Sequence, residues 1–218
     1  EPVDEHSIYE IGSISKTFTA TLLADNIVKG KMKVDDPISK YLPASVKVPT
    51  YKGGGPPITL GHLSDHTSSM LRMPTNMPES DPTDPAADYT PELMYAFLSY
   101  YELPREVGSE YEYSNFAVGV LGQIQALAAG TSYEEALTSV ITSPLKMKET
   151  AITLSPKMKE NLAVGHSMGM PVNNWDLNAM QGAGGIRSSA HDMLLYLSAN
   201  LGLTKSQLSK AMELTHTP

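Results

Sequence analysis

Apolar positions at Ile14, Phe18 and Leu22 recur every four residues, and Leu23 and Ile27 widen the stripe they form. That period predicts a helix from about Ser13 to Val28, stopped by Gly30. Just upstream, Ser7-Ile8-Tyr9-Glu10-Ile11 alternates polar and apolar and predicts a short strand. Pro91 opens a further helix over Glu92–Tyr100, and a third runs over Asn115–Ala129, closed by Gly130. Thr59 is placed to cap a short helix reaching His66, and residues 132–143 also read as helical. Two more helices are expected over Ala190–Leu201 and Lys205–Leu214. Short strands are expected over Ala151–Leu154 and Leu162–His166.

Between these elements, residues 35–57 are rich in turn signals and carry no long period. Residues 73–91 hold five prolines among Asp, Glu and Thr, which predicts a long surface excursion. No period of 20–50 residues repeats, which argues against a solenoid or propeller. The pattern as a whole is mainly helical with sparse strands, so the sheet it implies is incomplete.

Composition narrows the functional classes. Of 218 residues, 41% are hydrophobic and 18% charged, which is ordinary for a globular chain large enough to bury a core without staples. Sixteen Lys and Arg against 24 Asp and Glu leave a formal charge of −8, which argues against a nucleic-acid binder. The absence of cysteine removes thiol nucleophiles and Cys-based zinc sites. The longest apolar run, Phe116 to Gly130, is interrupted by Gln123 and Gln125 and is too short to span a bilayer. The acidic start Glu1-Pro2-Val3-Asp4-Glu5 is unlike the basic opening of a signal peptide, and a first residue other than Met suggests a processed or cut chain.

Two local patterns carry candidate chemistry. Gly12-Ser13-Ile14-Ser15-Lys16 lies at the strand-to-helix junction, and a helix from Ser13 places Ser13 and Lys16 on one face. A hydroxyl becomes a nucleophile when a nearby base takes its proton, and a desolvated lysine can be that base. The same residues also suit a plain helix start, with Ser13 as a cap, and the spacing alone does not choose. Tyr113-Ser114-Asn115 immediately precedes the Phe116–Ala129 stretch. There a phenol could relay a proton and an amide could hold a carbonyl, or Asn115 could simply cap the helix. His62 and His66 stand four apart on the expected helix, a metal-compatible spacing, but no Glu follows His62 as in H-E-x-x-H. Gly53-Gly54-Gly55 and Gly182-Ala183-Gly184-Gly185 lack the partners of phosphate loops and predict turns. Tyr111 and Trp175 could line a substrate cleft, but packing in the core or at the rim is the stronger expectation.

Taken together, these segments resemble the serine β-lactamase and penicillin-binding protein superfamily in its class C-like branch. Glu10 to Phe18 is similar to the family's nucleophile segment, and Val34 to Pro43 to the turn after it. Leu60-Gly61-His62-Leu63-Ser64-Asp65-His66-Thr67-Ser68-Ser69 resembles the family's HLLTHTSG stretch, with Ser69 where glycine is usual. Gly108-Ser109-Glu110-Tyr111-Glu112-Tyr113-Ser114-Asn115 matches the tyrosine motif, with Val107 replacing the usual proline. Pro144-Leu145-Lys146-Met147 and Gly184 to Ala190 resemble two later landmarks.

The resemblance implies an α+β, β-lactamase/transpeptidase-like fold as a single domain over residues 1–218, shortened at both ends and represented mainly by its helical region. It implies a serine hydrolase in which Ser13 attacks a lactam, amide or ester carbonyl, Lys16 and Tyr113 share proton transfers, and Asn115 orients the substrate. The backbone N–H of Ser13 is one expected oxyanion donor. A small-molecule or peptide substrate, a periplasmic or secreted location, and neither cofactor nor metal belong to the same expectation. The family's Lys-Thr-Gly triplet is missing, and His216-Thr217-Pro218 does not replace it, because proline has no N–H to donate. Weak catalysis is therefore expected. So is an exposed apolar face on the first helix at Phe18, Leu22 and Leu23, with self-association or a complementing chain through the incomplete sheet.

Overall fold

The computed structural model describes residues 2–78, 80–81 and 83–217. Pro82, one of the five prolines of the 73–91 segment, and Pro218 lie outside them. The chain runs β1 (Ile8–Glu10), α1 (Ser15–Val28), α2 (Leu60–Ser64), α3 (Pro91–Tyr100), α4 (Asn115–Ala129), α5 (Tyr133–Leu137), α6 (Pro156–Glu160), β2 (Gly165–Ser167), β3 (Met170–Val172), α7 (Gln181–Gly184), β4 (Arg187–Ser189), α8 (Ala190–Asn200) and α9 (Ser209–Thr215). No helix among the described residues is long and apolar enough to cross a membrane.

β1 pairs antiparallel with β4, Ile8 opposite Ser189 and Glu10 opposite Arg187, while β2 and β3 form a separate hairpin. Of the two expected strands, 151–154 shrinks to one bridge, Ala151 to Arg187, while 162–166 keeps a bridge from Leu162 to Ile8 and enters β2 only at Gly165. β2 and β3 make their hairpin with Met168 and Gly169 at positive φ at its tip.

α4 is the central strut. Its Phe116, Val120, Leu121 and Ile124 pack with Leu60 and Leu63 of α2, Met94, Phe97 and Leu98 of α3, and Met180. Ser114, not Asn115, caps it by accepting the Ala117 N–H at 2.9 Å, and Gly130 closes it at φ +66. The Asn115 side chain is thereby released from capping. Described residues of the proline-rich 73–91 segment are tied down: Tyr89 is fully buried and its hydroxyl donates to Asn76 Oδ1 at 3.1 Å.

The first helix departs most from expectation. Phe18, Leu22 and Leu23 are only 0%, 2% and 4% exposed, so the anticipated bare face does not exist. α4, α5, α7 and α9 all pack against α1, and the Phe18 ring stacks on Tyr196 of α8 at 4.0 Å. The C-terminal helices fold back over a face that periodicity alone could assign only to some unspecified neighbour.

Gly182-Ala183-Gly184-Gly185 is likewise no simple turn, because residues 181–184 form α7. A Cβ on Gly182 would stand 2.9 Å from the Cα of Gly122, so α4 and α7 meet backbone to backbone. That close approach sets α7 against α1, where Thr19 Oγ1 donates to the Gly182 carbonyl at 2.8 Å.

Candidate active site

After β1 the chain turns at Gly12, whose φ of +52 is in the left-handed region, and enters one 3₁₀ turn over Gly12–Ile14 before α1 begins at Ser15. The Ile11 N–H donates to the Ile186 carbonyl at 3.1 Å, and the Ile186 N–H donates to Ser15 Oγ at 3.2 Å. Ser15 is thus buried and committed to holding β4's approach against the helix start. Ser13, two residues earlier, stays exposed. Among the described residues nothing accepts from its backbone N–H, as is usual in the first turn of a helix.

Three of the four expected site residues converge. Ser13 Oγ lies 2.6 Å from Tyr113 Oη, and Lys16 Nζ donates to Ser13 Oγ at 3.1 Å and to the Ala183 carbonyl at 2.5 Å. Lys16 Nζ also sits 5.0 Å from the centroid of the Tyr113 ring. Asn115 does not join this triangle. It lies half-buried at the start of α4, and its amide donates to Met73 Sδ at 3.5 Å.

Two neighbours escaped the sequence reading of the site. The Arg72 guanidinium stands 5.0 Å from the Tyr113 ring centroid, and the His66 ring lies 4.6 Å from the same ring. Arg72 is delivered by main-chain bonds, its carbonyl accepting the Asn115 and Phe116 N–H groups. No local spacing announces it. His66 carried a sequence signal as part of the stretch with His62, but the two do not share a helix face. α2 ends at Ser64 and His66 takes φ +65. His62 completes the Thr59 capping box, while His66 Nδ1 accepts the Ser114 N–H at 3.2 Å. Tyr111 is exposed and meets His66 edge-on at 5.7 Å, whereas exposed Trp175 is tied to Glu10 by its backbone N–H.

Electrostatics follow from this packing. Burial pushes the Lys16 ammonium below its ordinary range, the Arg72 charge adds to that, and the bond to Tyr113 opposes it. Burial alone would raise the Tyr113 phenol. Its bonds to Lys16 and Ser13, with the nearby positive charges of Lys16 and Arg72, outweigh that and bring it below the ordinary tyrosine value. Both groups therefore lie below their ordinary values of about 10. His66 is held below its usual value by burial and by Lys16, with Asp65 opposing, in keeping with a neutral ring whose Nδ1 accepts a bond. A separate cleft of about 650 Å³, lined by Ile152, Leu154, Asp176, Gln181 and Arg187, contains none of Ser13, Lys16, Tyr113 or Asn115.

A serine on the first turn of a helix, a desolvated lysine three residues on and a tyrosine from a second segment are set in a β-lactamase/transpeptidase-like α+β fold. Solved structures agree with that assignment. The chain superimposes with a TM-score of 0.83 and 29% identity on a β-lactamase/D-alanine carboxypeptidase from Yersinia pestis, covering 96% of this chain and 59% of that one. It superimposes equally, at 27% identity, on a class C β-lactamase from Rhodobacter sphaeroides, covering 99% of this chain and 58% of the other.

The chain belongs to the β-lactamase family, whose profile matches residues 1–218. It is 35% identical over 196 residues to the D-alanyl-D-alanine-carboxypeptidase/endopeptidase AmpH of Escherichia coli K12, a match covering 89% of this chain and 49% of that protein. A β-lactamase of Pseudomonas fluorescens is 28% identical over 230 residues, covering all of this chain and 58% of the relative. The chain thus spans about half the length of the curated relatives it matches.

Proposed function

We propose that this chain carries the acylating centre of a serine hydrolase acting on a β-lactam, a D-Ala-D-Ala-type peptide or an ester. The observation that carries the reading is the single contact set of Ser13 Oγ, 2.6 Å from Tyr113 Oη and 3.1 Å from Lys16 Nζ. In it, Ser13 Oγ attacks the carbonyl carbon and its proton passes to the Lys16–Tyr113 pair. The pair returns that proton to the leaving nitrogen or oxygen as the scissile bond breaks, leaving an ester on Ser13. The unused N–H of Ser13 faces the role of oxyanion donor. Asn115, at the N-terminus of α4 beside Met73, positions the substrate amide. Arg72 and His66 border the tyrosine, and the Arg72 charge favours loss of its proton. The names of the relatives, a β-lactamase and a D-alanyl-D-alanine carboxypeptidase, support the substrate classes.

Intact mass after incubation with a β-lactam and, separately, an activated ester tests this reading. A single adduct mapping to Ser13 and absent in Ser13→Ala supports it. No adduct with either reagent, or an equal adduct on Ser13→Ala, overturns it and favours a non-catalytic binding role.

A further inference from the structure

At the other end of β1 from Ser13, side chains from three distant parts of the chain converge. His6 precedes β1, Glu149 lies in the loop before Ala151, and His191 opens α8. One donor atom from each falls within 4.8 Å of the other two. His6 Nδ1 lies 3.0 Å from both carboxylate oxygens of Glu149, and the two imidazole centroids are 5.3 Å apart.

The surroundings orient all three groups. Asp192 is 1% exposed and makes a hub: its Oδ1 lies 3.2 Å from His191 Nδ1, and its Oδ2 accepts the Glu149 N–H at 2.7 Å and the Thr150 hydroxyl at 2.8 Å. The His191 N–H donates to the Glu5 carbonyl at 2.9 Å, and the Ser189 hydroxyl donates to Glu149 Oε2 at 2.6 Å. A buried carboxylate on Nδ1 leaves His191 Nε2 as the free donor, the arrangement that commonly supports a metal-bound histidine. His6 Nδ1 and the Glu149 carboxylate face each other directly, so a cation placed between them would meet both.

We propose that His6, Glu149 and His191 form a binding site for a divalent transition metal of the zinc type. Two imidazoles and one carboxylate suit such borderline ions, whereas magnesium and calcium favour all-oxygen sets. Metal–donor bonds of about 2.0–2.1 Å place tetrahedral donors about 3.4 Å apart; His6 and Glu149, at 3.0 Å, already stand near that spacing, and with all three donors within 4.8 Å only a small side-chain adjustment remains. The imidazoles, 45% and 49% exposed, have room to turn, while Glu149 at 21% stays anchored. Because the donors come from residues 6, 149 and 191, the metal clips the segment ahead of β1 to the start of α8, and its binding energy adds to fold stability.

Calorimetric titration of the intact chain with Zn²⁺, in a buffer that does not bind metal, tests this. One ion per chain is expected, with a melting temperature raised by about 5–10 °C at a hundredfold excess over Kd. His191→Ala and Glu149→Gln should each lose at least tenfold in affinity, and His166→Ala, whose ring lies elsewhere, should lose none. Zinc-edge absorption of the unmutated protein should show two imidazoles, which keeps the test open if a variant fails to fold. Absence of binding, undiminished binding in both variants, or a shell without two imidazoles overturns the proposal.

Discussion

Past the end of β1, Lys16 donates to uncharged oxygens, Ser13 Oγ and the Ala183 carbonyl, whereas ahead of its start His6 faces the Glu149 carboxylate. Among the described residues no carboxylate pairs with Lys16. The two bases respond in opposite directions. Burial drives the Lys16 ammonium down, while the bond to Glu149 and its charge raise the His6 imidazole. A base denied a counterion is primed to take a proton. A base given one keeps its proton to higher pH.

The largest effect expected from breaking this contrast is on Lys16. Lys16→Ala should lower the acylation rate by about 10²–10⁴-fold, read by stopped-flow or timed intact mass. In the unmutated chain, acylation should rise with pH to a plateau whose midpoint lies below the ordinary lysine value, because the base is active when deprotonated. A rate flat between about pH 6 and 9 would remove Lys16 from that role.

Next in size is Gly182→Ala. The added methyl would press on the Gly122 backbone, costing about 1–3 kcal/mol in urea unfolding, and shifting α7 would draw the Ala183 carbonyl off Lys16. Acylation should fall while zinc affinity at the His6 end is unchanged. A smaller, pH-dependent effect belongs to His66. Its folded value is depressed, so its contribution to stability is present above the unfolded value of about 6.5 and is lost as pH falls below it. His66→Asn tolerates the positive φ and keeps an acceptor for the Ser114 N–H, and should flatten that slope in melting curves between pH 7 and 5. Smallest of all, Glu149→Gln should leave acylation within about twofold, since the carboxylate touches nothing at Ser13.

The two ends also differ in how visible they were beforehand. Ser13 and Lys16 are three apart, and a helical period converts that spacing directly into proximity. Tyr113 was marked by its segment, and α3 and α4 by Pro91, Gly130 and their apolar stripes. His6, Glu149 and His191 share no local spacing, and only the β1–β4 pairing brings two of them together. The same holds for Arg72, which main-chain bonds deliver. α6 was a different kind of miss, because Ser155 accepting the Met158 N–H and Pro156 in the first turn are readable start signals that passed unread. The covering of Phe18 and Leu22 could not be read at all, since periodicity reveals that a face is apolar and not which helix lies on it.

Lys16 is aimed by a peptide carbonyl, and every amino acid supplies one. A substitution at position 183 that fits the space leaves that acceptor in place, so the lysine's orientation carries no side-chain signature there. The vulnerability is transferred one residue back, to the hydrogen atom that Gly182 has in place of a side chain. In mutational terms the anchor is silent at its own codon and audible at its neighbour's, and a scan for the residues that hold the base in position would find the contact with α4 before it found the atom that Lys16 touches.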